Sequence, residues 1–282
     1  MDAQPSTPVP EQPEPTELFE LELLGGPAER RYRRARPEVE ELPWGTLDPR
    51  DYDPAAVVEA RKAWTSAAFQ EHRTAAACSA TLRALVEARA PLDLIAGFAR
   101  FPLDEVVHVE LCARLAMELG GGTELRHAPS AMCADADASL PPLHRACQLV
   151  VRNFCVGESL SIPLLHGIWV RTTHPLPRAV MGRIVRDEAA HGVAGWTFLD
   201  WVLPLLSGDG MALVAQTASA AIAEIHRLWL ELRQRPAAPR SHDHALGWMG
   251  TEEYLDLAGR SMQRRVLAPF ADRGIVLPPT AA

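Results

Sequence analysis

The chain has 282 residues, of which 48% are hydrophobic and 6% are aromatic, so it can bury one sizeable helical core or at most two small ones. Alanine and leucine dominate and β-branched runs are scarce, which favours an all-α fold. The formal net charge at pH 7 is −8 with both signs scattered, which argues against nucleic-acid binding, and no stretch reaches the ~18 uninterrupted apolar residues of a membrane span.

Residues 1–53 are predicted to form a disordered or extended N-terminal segment, because Pro recurs among Gln, Ser, Thr and Glu near its start. Within this segment, residues 18–24 alternate apolar and acidic side chains, which predicts a short strand or an ordered strap laid across the helices. The basic run at residues 30–36 is followed by several glutamates, which predicts a solvated stretch that pairs with those acids.

Four long helices are predicted over residues 54–206. The first begins after Asp53 and Pro54, an N-cap residue followed by proline at the first helical position. Pro91 opens the second helix, in which Pro102 either kinks the helix or begins a new helical segment. The later predicted elements are a crossover loop, the third and fourth helices and two C-terminal helices, over about 121–139, 140–170, 176–206, 211–234 and 251–268.

One motif occurs twice within these helices: a lone glutamate, a stretch of helical sequence, and then Asp-Glu-x-x-His. Residues three apart lie on one helix face with Cβ atoms roughly 5–6 Å apart, so the Glu and His of each copy point inward together. A solvated glutamate with a capping or core histidine is the better explanation of a single E-x-x-H, but two copies with matched spacing are hard to obtain by chance. The pattern predicts that six side chains hold two metal ions between helices: Glu71, Glu105, His108, Glu158, Glu188 and His191.

The surroundings of these residues favour a buried site. Glu71 and Glu158 lie on otherwise apolar helical faces, and a buried carboxylate needs a partner or a metal. Carboxylate with imidazole suits iron or manganese better than it suits thiolate-binding metals. The five cysteines include no C-x-x-C pair, so we expect reduced core cysteines. Because the chain start lacks the basic and apolar segments of a secretory signal, a cytoplasmic location is expected.

Two aspartates directly precede the motif glutamates. Metal-bound histidines usually donate their second N–H to an outer carboxylate, which predicts that Asp104 orients His191 and that Asp187 orients His108. The alternative is an ordinary exposed aspartate in each case. His72 is rotated by about 100° from the adjacent motif glutamate, so it is expected to contact a neighbouring helix or solvent.

The duplicated motif resembles the E-x(28–37)-D-E-x-x-H pattern of the ferritin-like diiron-carboxylate superfamily. The two intervals here contain 32 and 28 residues, both within that window. The resemblance covers residues 54–206 and implies a ferritin-like four-helix bundle, with residues 207–282 forming additional helices packed on it. It also implies two bound iron ions, as an Fe/Fe or Mn/Fe pair, that reduce O₂ with electrons from an external donor and oxidise a small organic or carrier-bound substrate.

The resemblance implies a role for each ligand: Glu71 with His108 on one iron, Glu158 with His191 on the other, and Glu105 and Glu188 as bridges. The arylamine N-oxygenase branch carries an extra histidine one turn before the last motif glutamate, where this chain has Ile184, so that chemistry is not expected. The small residues Gly157 and Gly192 near the ligands predict a cavity, with Ile162 and Ile184 lining it.

Two other functions are consistent with the sequence. One is a non-catalytic ferritin-like protein for iron sequestration or peroxide scavenging, and the other is a metal-free helical scaffold that binds a partner through its C-terminal region. An oxygenase needs a substrate-sized pocket beside the metals, a storage protein needs an assembly with an iron-holding lumen, and a scaffold gains no stability from metal. The motif favours an O₂-dependent oxidoreductase, which could assemble as a homodimer.

Overall fold

A computed structural model describes residues 14–234 and 244–278. Its regular structure is almost entirely helical, which confirms the predicted all-α class. The α-helices are α1 (Gly26–Ala35), α2 (Pro54–Glu87), α3 (Leu92–Glu118), α4 (Pro142–Val150), α5 (Ser159–Arg171), α6 (Pro175–Val202), α7 (Gly208–Gln234), α8 (Thr251–Ser261) and α9 (Ala268–Asp272). Two π-helical segments continue helices: Val151–Glu158, hereafter the π segment, joins α4 to α5, and Met262–Leu267 joins α8 to α9.

The N-terminal segment is more ordered than the sequence predicts. The expected disordered or extended state of residues 1–53 is wrong for α1, where helix-forming residues dominate and a Glu–Arg pair one turn apart closes at 2.7 Å. Of residues 18–24, where a short strand or an ordered strap is predicted, only Leu18 lies in a strand: β1 (Glu17–Leu18) pairs antiparallel with β2 (Arg126–His127). Residues 1–13, which the same prediction covers, lie outside the described residues.

The basic run is only partly solvated. Arg36, directly after α1, is fully buried, with its Nε 2.6 Å from a Glu110 carboxylate oxygen and its Nη1 2.8 Å from one of Glu40. The pairing with acids is as predicted, but full solvation is wrong at this residue. The reason is tertiary: α1 lies against α3, where the Tyr32 hydroxyl also donates to the Val106 carbonyl at 3.3 Å.

The first two of the four predicted long helices form as expected. Asp53 caps α2 by accepting a hydrogen bond from the Ala55 amide at 2.7 Å. Helix α3 is continuous through Pro102, so the alternative of a new segment starting there is wrong. After α3, Gly120 and Gly121 take φ values of 105° and 110°, which residues with a Cβ rarely adopt, and the chain turns away.

The third predicted helix, over about residues 140–170, is instead three consecutive pieces: α4, the π segment and α5. A π-helical turn is wider than an α-helical one, and such segments are frequent at functional sites. Gly195 of α6 lies directly against this widened turn, because a Cβ on it would sit 2.8 Å from the Phe154 Cβ and 2.9 Å from the Cys155 amide nitrogen. Contact with α6 therefore accompanies the departure from α-helical geometry.

The long helices pack around two apolar clusters. Helix α2 lies along α3 and α5 lies along α6, while α3 also contacts α6 and α2 contacts α4. One cluster includes Phe98, Phe154 and Phe198, and the other includes Trp64 and Leu115. Along α2, α3 and α6, the buried apolar residues change from one cluster to the other on either side of the motif residues. The motif therefore lies where the two clusters meet.

The C-terminal helices pack on the same core. Helix α7 contacts α4 and the π segment, and α8 contacts α5. The division of the chain at residues 53/54 and 206/207 stays a prediction, and residues 235–243 and 279–282 of its last part lie outside the described residues. Within the described ranges, no helix is both long enough and apolar enough to cross a bilayer.

Candidate metal centre

The two copies of the motif converge in space. Their side chains form two groups, and within each group the candidate ligand atoms all lie within 4.8 Å of one another. The first group is Glu71, Glu105, His108 and Glu188, and the second is Glu105, Glu158, Glu188 and His191. The fold therefore brings all six predicted ligands together, and Glu105 and Glu188 belong to both groups.

Four helical elements deliver these six side chains, and all of them are largely buried. Helix α2 and the π segment each supply one glutamate, while α3 and α6 each supply a Glu–His pair three residues apart. Glu105, His108 and His191 have no exposed surface. The most accessible of the six is Glu71, whose side chain is 13% exposed. Buried carboxylates are costly without compensating charge, so the site needs cations or protons.

Both histidines direct Nδ1 toward the motif carboxylates. The Nδ1 atom of His108 lies 3.4 Å from an oxygen of Glu105 and 3.4 Å from one of Glu188. The Nδ1 atom of His191 lies 3.0 Å from Glu105 and 3.1 Å from Glu188. Nδ1 is therefore the atom that each imidazole presents to the centre, and Nε2 is left for an outer partner.

The two motif aspartates lie at the predicted outer positions. The Oδ2 atom of Asp187 lies 3.4 Å from the Nε2 atom of His108. The Oδ2 atom of Asp104 lies 3.7 Å from the Nε2 atom of His191, beyond hydrogen-bonding distance. Each aspartate also binds an arginine four residues earlier on its own helix. The geometry fits the predicted pairing more closely for Asp187 than for Asp104.

Several buried polar atoms at the centre lie 3.0–3.4 Å from a neighbouring imidazole or carboxylate atom, yet make no hydrogen bond of acceptable geometry within the described residues: Glu105 Oε1 and Oε2, Glu188 Oε2, His108 Nδ1 and His191 Nδ1. Buried polar atoms are normally satisfied, and leaving one unpaired costs about 1–3 kcal/mol. A pair of cations would satisfy all of these atoms at once, and four carboxylates balance the charge of two divalent ions. The residues therefore fit a dimetal site with oxygen and nitrogen donors.

Protons divide unevenly among the six side chains when no ion is bound. Burial raises the pKa of Glu71 to about 8 and raises the pKa of Glu158 well above its usual range. Burial opposes charge on His191, but the neighbouring carboxylates outweigh it and raise its pKa to about 12. Burial also opposes ionisation of Glu105 and Glu188, yet the adjacent imidazoles lower both pKa values. Binding of metal ions at these side chains would therefore displace protons.

Glu158 reaches the centre from the end of the π segment. Its Oε2 atom accepts a hydrogen bond of 3.1 Å from the Ser161 hydroxyl. The Ser159 hydroxyl donates to the carbonyl of Phe154 at 3.0 Å, which ties the start of α5 back to the widened turn. This carboxylate is consequently held by its own helix as well as by the centre.

A cavity of about 200 Å³ lies beside Glu71, which lines it. Its walls come from α2, α3, α5, α6 and the residues around the start of α8, and Ile184 lines it as predicted. The predicted contribution of Gly192 is wrong, because the side chain of Ile162 fills the space that a Cβ would occupy there. Neither Gly157 nor Ile162 lines the cavity, so these predictions are also wrong.

A larger cavity of about 770 Å³ lies between α1, residues 21–24 and the outer face of α3. None of the six candidate ligands lines it, so it is separate from the centre. His72 does line it, and its ring centroid lies 5.7 Å from that of Phe19. His72 therefore packs against the N-terminal segment, and the cavity that it lines also has walls from α3.

No family model matches the sequence, no curated protein matches it, and no solved structure matches the chain. The ferritin-like resemblance accordingly depends on features of this chain itself. These are the duplicated motif, the helical fold and the buried cluster of carboxylates and histidines.

Four residues near the centre are not part of the duplicated motif. Ser161 and Arg183 had a local signal, because they lie three residues after Glu158 and four residues before Asp187, on shared helix faces. Trp248 and Tyr254 line the cavity beside Glu71 but lie far from the motif in sequence. No spacing rule relates them to the motif, so only the folded chain identifies them.

Proposed function

We propose that the protein is a non-haem dimetal oxidase or oxygenase built on a ferritin-like four-helix bundle, with an Fe/Fe or Mn/Fe pair as its cofactor. The observation that carries the proposal is the buried cluster in which Glu105 and Glu188 belong to both ligand groups. A donor set rich in carboxylates, with one imidazole for each ion, suits these metals. When bound, the metal pair supplies the redox chemistry that reduces O₂ and oxidises an organic substrate.

The residues of the chain divide the task of holding that pair. Glu105 and Glu188 would each help to hold both ions, because each lies in both groups. With an ion bound at Nδ1, His108 would donate its Nε2–H to Asp187, whose Oδ2 atom lies 3.4 Å away, and this contact would keep Nδ1 turned to the centre. The remaining assignments follow the groups: Glu71 with His108 on one ion, and Glu158 with His191 on the other.

Apolar side chains exclude water from the centre. The Phe101 ring centroid lies 4.1 Å from that of His191, so an aromatic wall covers one side of that imidazole. Cys78 and Cys112 are buried nearby, and burial raises the pKa of both thiols, so they remain neutral and do not compete as thiolate ligands. A dry site strengthens the electrostatic interactions within it.

The cavity beside Glu71 favours an oxidase over an iron-storage protein. Glu71 is the most accessible of the six ligands, so a molecule in the cavity lies against the ligand shell. The cavity walls are mostly apolar, which suits an organic molecule. Storage would need a hydrated route and a lumen formed by assembly, and apolar walls oppose the entry of hydrated iron.

Anaerobic titration of the metal-free chain with ferrous iron tests this function. We expect two ions to bind per chain, one for each ligand group, and the thermal midpoint to rise because the ions bind the folded state. Exposure to O₂ then oxidises the bound iron, and a second titration with manganese and iron together identifies the preferred pair.

Three outcomes decide among the candidate functions. Consumption of O₂ with the metal content remaining at two per chain supports the oxidase. Uptake of many further iron ions under air would assign the protein to storage. Failure to retain iron or manganese, with no change in thermal midpoint, would leave a metal-free scaffold.

A further inference from the structure

The cavity beside Glu71 is small and bounded mostly by apolar side chains. Leu165 and Ile168 of α5 form one wall, and Met181 and Ile184 of α6 form another. An apolar cavity of about 150 Å³ accommodates benzene, so the volume of about 200 Å³ accommodates a single substituted ring or a short alkyl chain.

The polar atoms on the cavity wall are few, and most are already engaged. The indole N–H of Trp64 donates to the Leu246 carbonyl at 2.8 Å. The hydroxyl of Tyr254 interacts with the Trp229 side chain. The indole nitrogen of Trp248 differs, because it is buried and has no hydrogen-bond partner among the described residues. One free donor therefore belongs to a residue that lines the cavity.

A buried donor without a partner is costly, and a ligand that supplies an acceptor removes that cost. The free N–H of Trp248 is thus a recognition element for a carbonyl, ether or hydroxyl oxygen. Glu71 and Trp248 both line the same cavity, so a ligand held by the indole N–H lies next to the candidate metal centre.

We propose, resting on the oxidase function above, that this cavity binds a small, largely apolar substrate that carries one hydrogen-bond acceptor, and that Trp248 donates to that acceptor. The class includes monocyclic aromatic and short aliphatic carbonyl compounds. Trp248 is a positioning residue, because it orients the substrate beside Glu71 without contacting the metals.

Two probes of nearly equal shape test the proposal on the metal-free full chain. Acetophenone carries a carbonyl acceptor, and α-methylstyrene replaces that oxygen with a methylene group. We expect titration calorimetry or ligand-observed NMR to show both binding, with acetophenone tighter by roughly 2- to 12-fold, the value of one net hydrogen bond. Trp248→Phe removes the N–H and should make the two probes bind equally.

Ala67→Leu tests whether the probes occupy the cavity itself. Ala67 lines it from α2, and the larger side chain should fill part of the space and weaken binding of both probes. Ala76→Leu is the matched control, since Ala76 is half-buried on the same helix but does not line the cavity. The thermal midpoints of both variants establish that they fold.

Each result supports or overturns the proposal. Equal affinity of the two probes for the unmodified chain, or an acetophenone preference that survives Trp248→Phe, would refute the role of the indole. Absence of binding by both probes, or full binding by Ala67→Leu, would refute the cavity as a substrate site. Metal uptake and O₂ consumption are measured without probes, so a failed oxidase and a failed substrate cavity give different results.

Discussion

In the first copy of the motif, Glu71 projects from an unbroken α-helix and lines a cavity. In the second copy, Glu158 stands at the end of a π-helical segment, and the hydroxyl of Ser161 holds its carboxylate. The matched sequence spacing therefore produces two environments that differ in accessibility. One ligand group faces the space where a substrate would lie, and the other is enclosed by the protein.

The two outer aspartates also differ, both in the exposure of the arginine that holds each one and in their distance from the histidine. Asp187 is held by Arg183, whose side chain is 11% exposed, and it lies 3.4 Å from the histidine of the first copy. Asp104 is held by Arg100, whose side chain is 68% exposed, and it lies 3.7 Å from the histidine of the second copy. The more rigid outer support therefore serves the ligand group that is open to the cavity.

Glu105→Gln should have the largest effect on metal binding. Glu105 belongs to both ligand groups, so its loss weakens both of them equally. We expect both ions to bind more than ~100-fold more weakly. Loss of a residue that only orients a metal ligand typically costs 10- to 100-fold in affinity, and loss of a ligand itself should cost more. Metal content after anaerobic loading and desalting measures this. Glu118→Gln, a partly exposed glutamate near the end of the same helix, is the control and should retain two ions. Tight retention of one ion by Glu105→Gln would contradict the bridging role.

Glu71→Ala and Glu158→Ala should each lose one of the two ions, because each glutamate belongs to a single group. The two variants should differ in how well added carboxylate restores the lost ion. Added acetate should enter the cavity and restore the second ion more readily in Glu71→Ala than in Glu158→Ala, because Glu71 lines the cavity and Glu158 does not. Metal content measured with and without millimolar acetate tests this, and equal rescue of both variants would remove the asserted difference in access.

Acid should release metal from both groups. Raised pKa values mean that Glu71, Glu158, His108 and His191 hold protons near neutral pH when no ion is bound, so binding must displace them and the apparent affinity rises with pH. We expect release of about four protons per ion pair at neutral pH, and affinity that falls steadily as the pH drops below about 8, where Glu71 also takes up its proton. Calorimetry of Mn²⁺ binding in buffers of different ionisation enthalpy counts the protons. Affinity independent of pH would show that the site is already deprotonated.

Asp187→Asn and Asp104→Asn should weaken metal binding unequally. Asn cannot accept the imidazole N–H as strongly as a carboxylate does, and loss of such a partner typically costs 10- to 100-fold in affinity. We expect a loss in that range for Asp187→Asn and a smaller loss for Asp104→Asn, because only Asp187 lies within hydrogen-bonding distance of its histidine. Competition with a chelator gives both affinities, and the opposite order would be inconsistent with the measured distances.

Gly195→Ala should disturb the π segment, which carries Glu158, and leave the surroundings of Glu71 unchanged. Its Cβ would lie within 3.0 Å of backbone atoms of the π segment, so we expect a loss of about 1–3 kcal/mol in the free energy of unfolding. Gly97→Ala is the control, because nothing lies within 4 Å of that Cβ and alanine should stabilise the helix by about 0.5–1 kcal/mol. Urea denaturation measures both, and equal stability changes would mean that the π segment tolerates displacement.

Much of the fold follows from local patterns. Asp53 caps α2 where the sequence predicts a helix start, and the three-residue spacing places each Glu–His pair on one helix face. The failures have a common cause: α1 is helical, Arg36 is buried and the π segment interrupts a predicted helix. Each of these depends on a neighbouring element that local sequence does not reveal.

By itself, the sequence determined the helical class and the identity of the six side chains that converge, because helical periodicity is set by covalent geometry and backbone hydrogen bonds within a few residues. Only the tertiary structure decided that Glu71 opens on a cavity, that Glu158 is buried, and that Trp248 lines the same cavity as Glu71 with an indole nitrogen that has no partner among the described residues. Cavities and burial arise from contacts between residues that are distant along the chain, and such contacts leave no fixed spacing in the sequence.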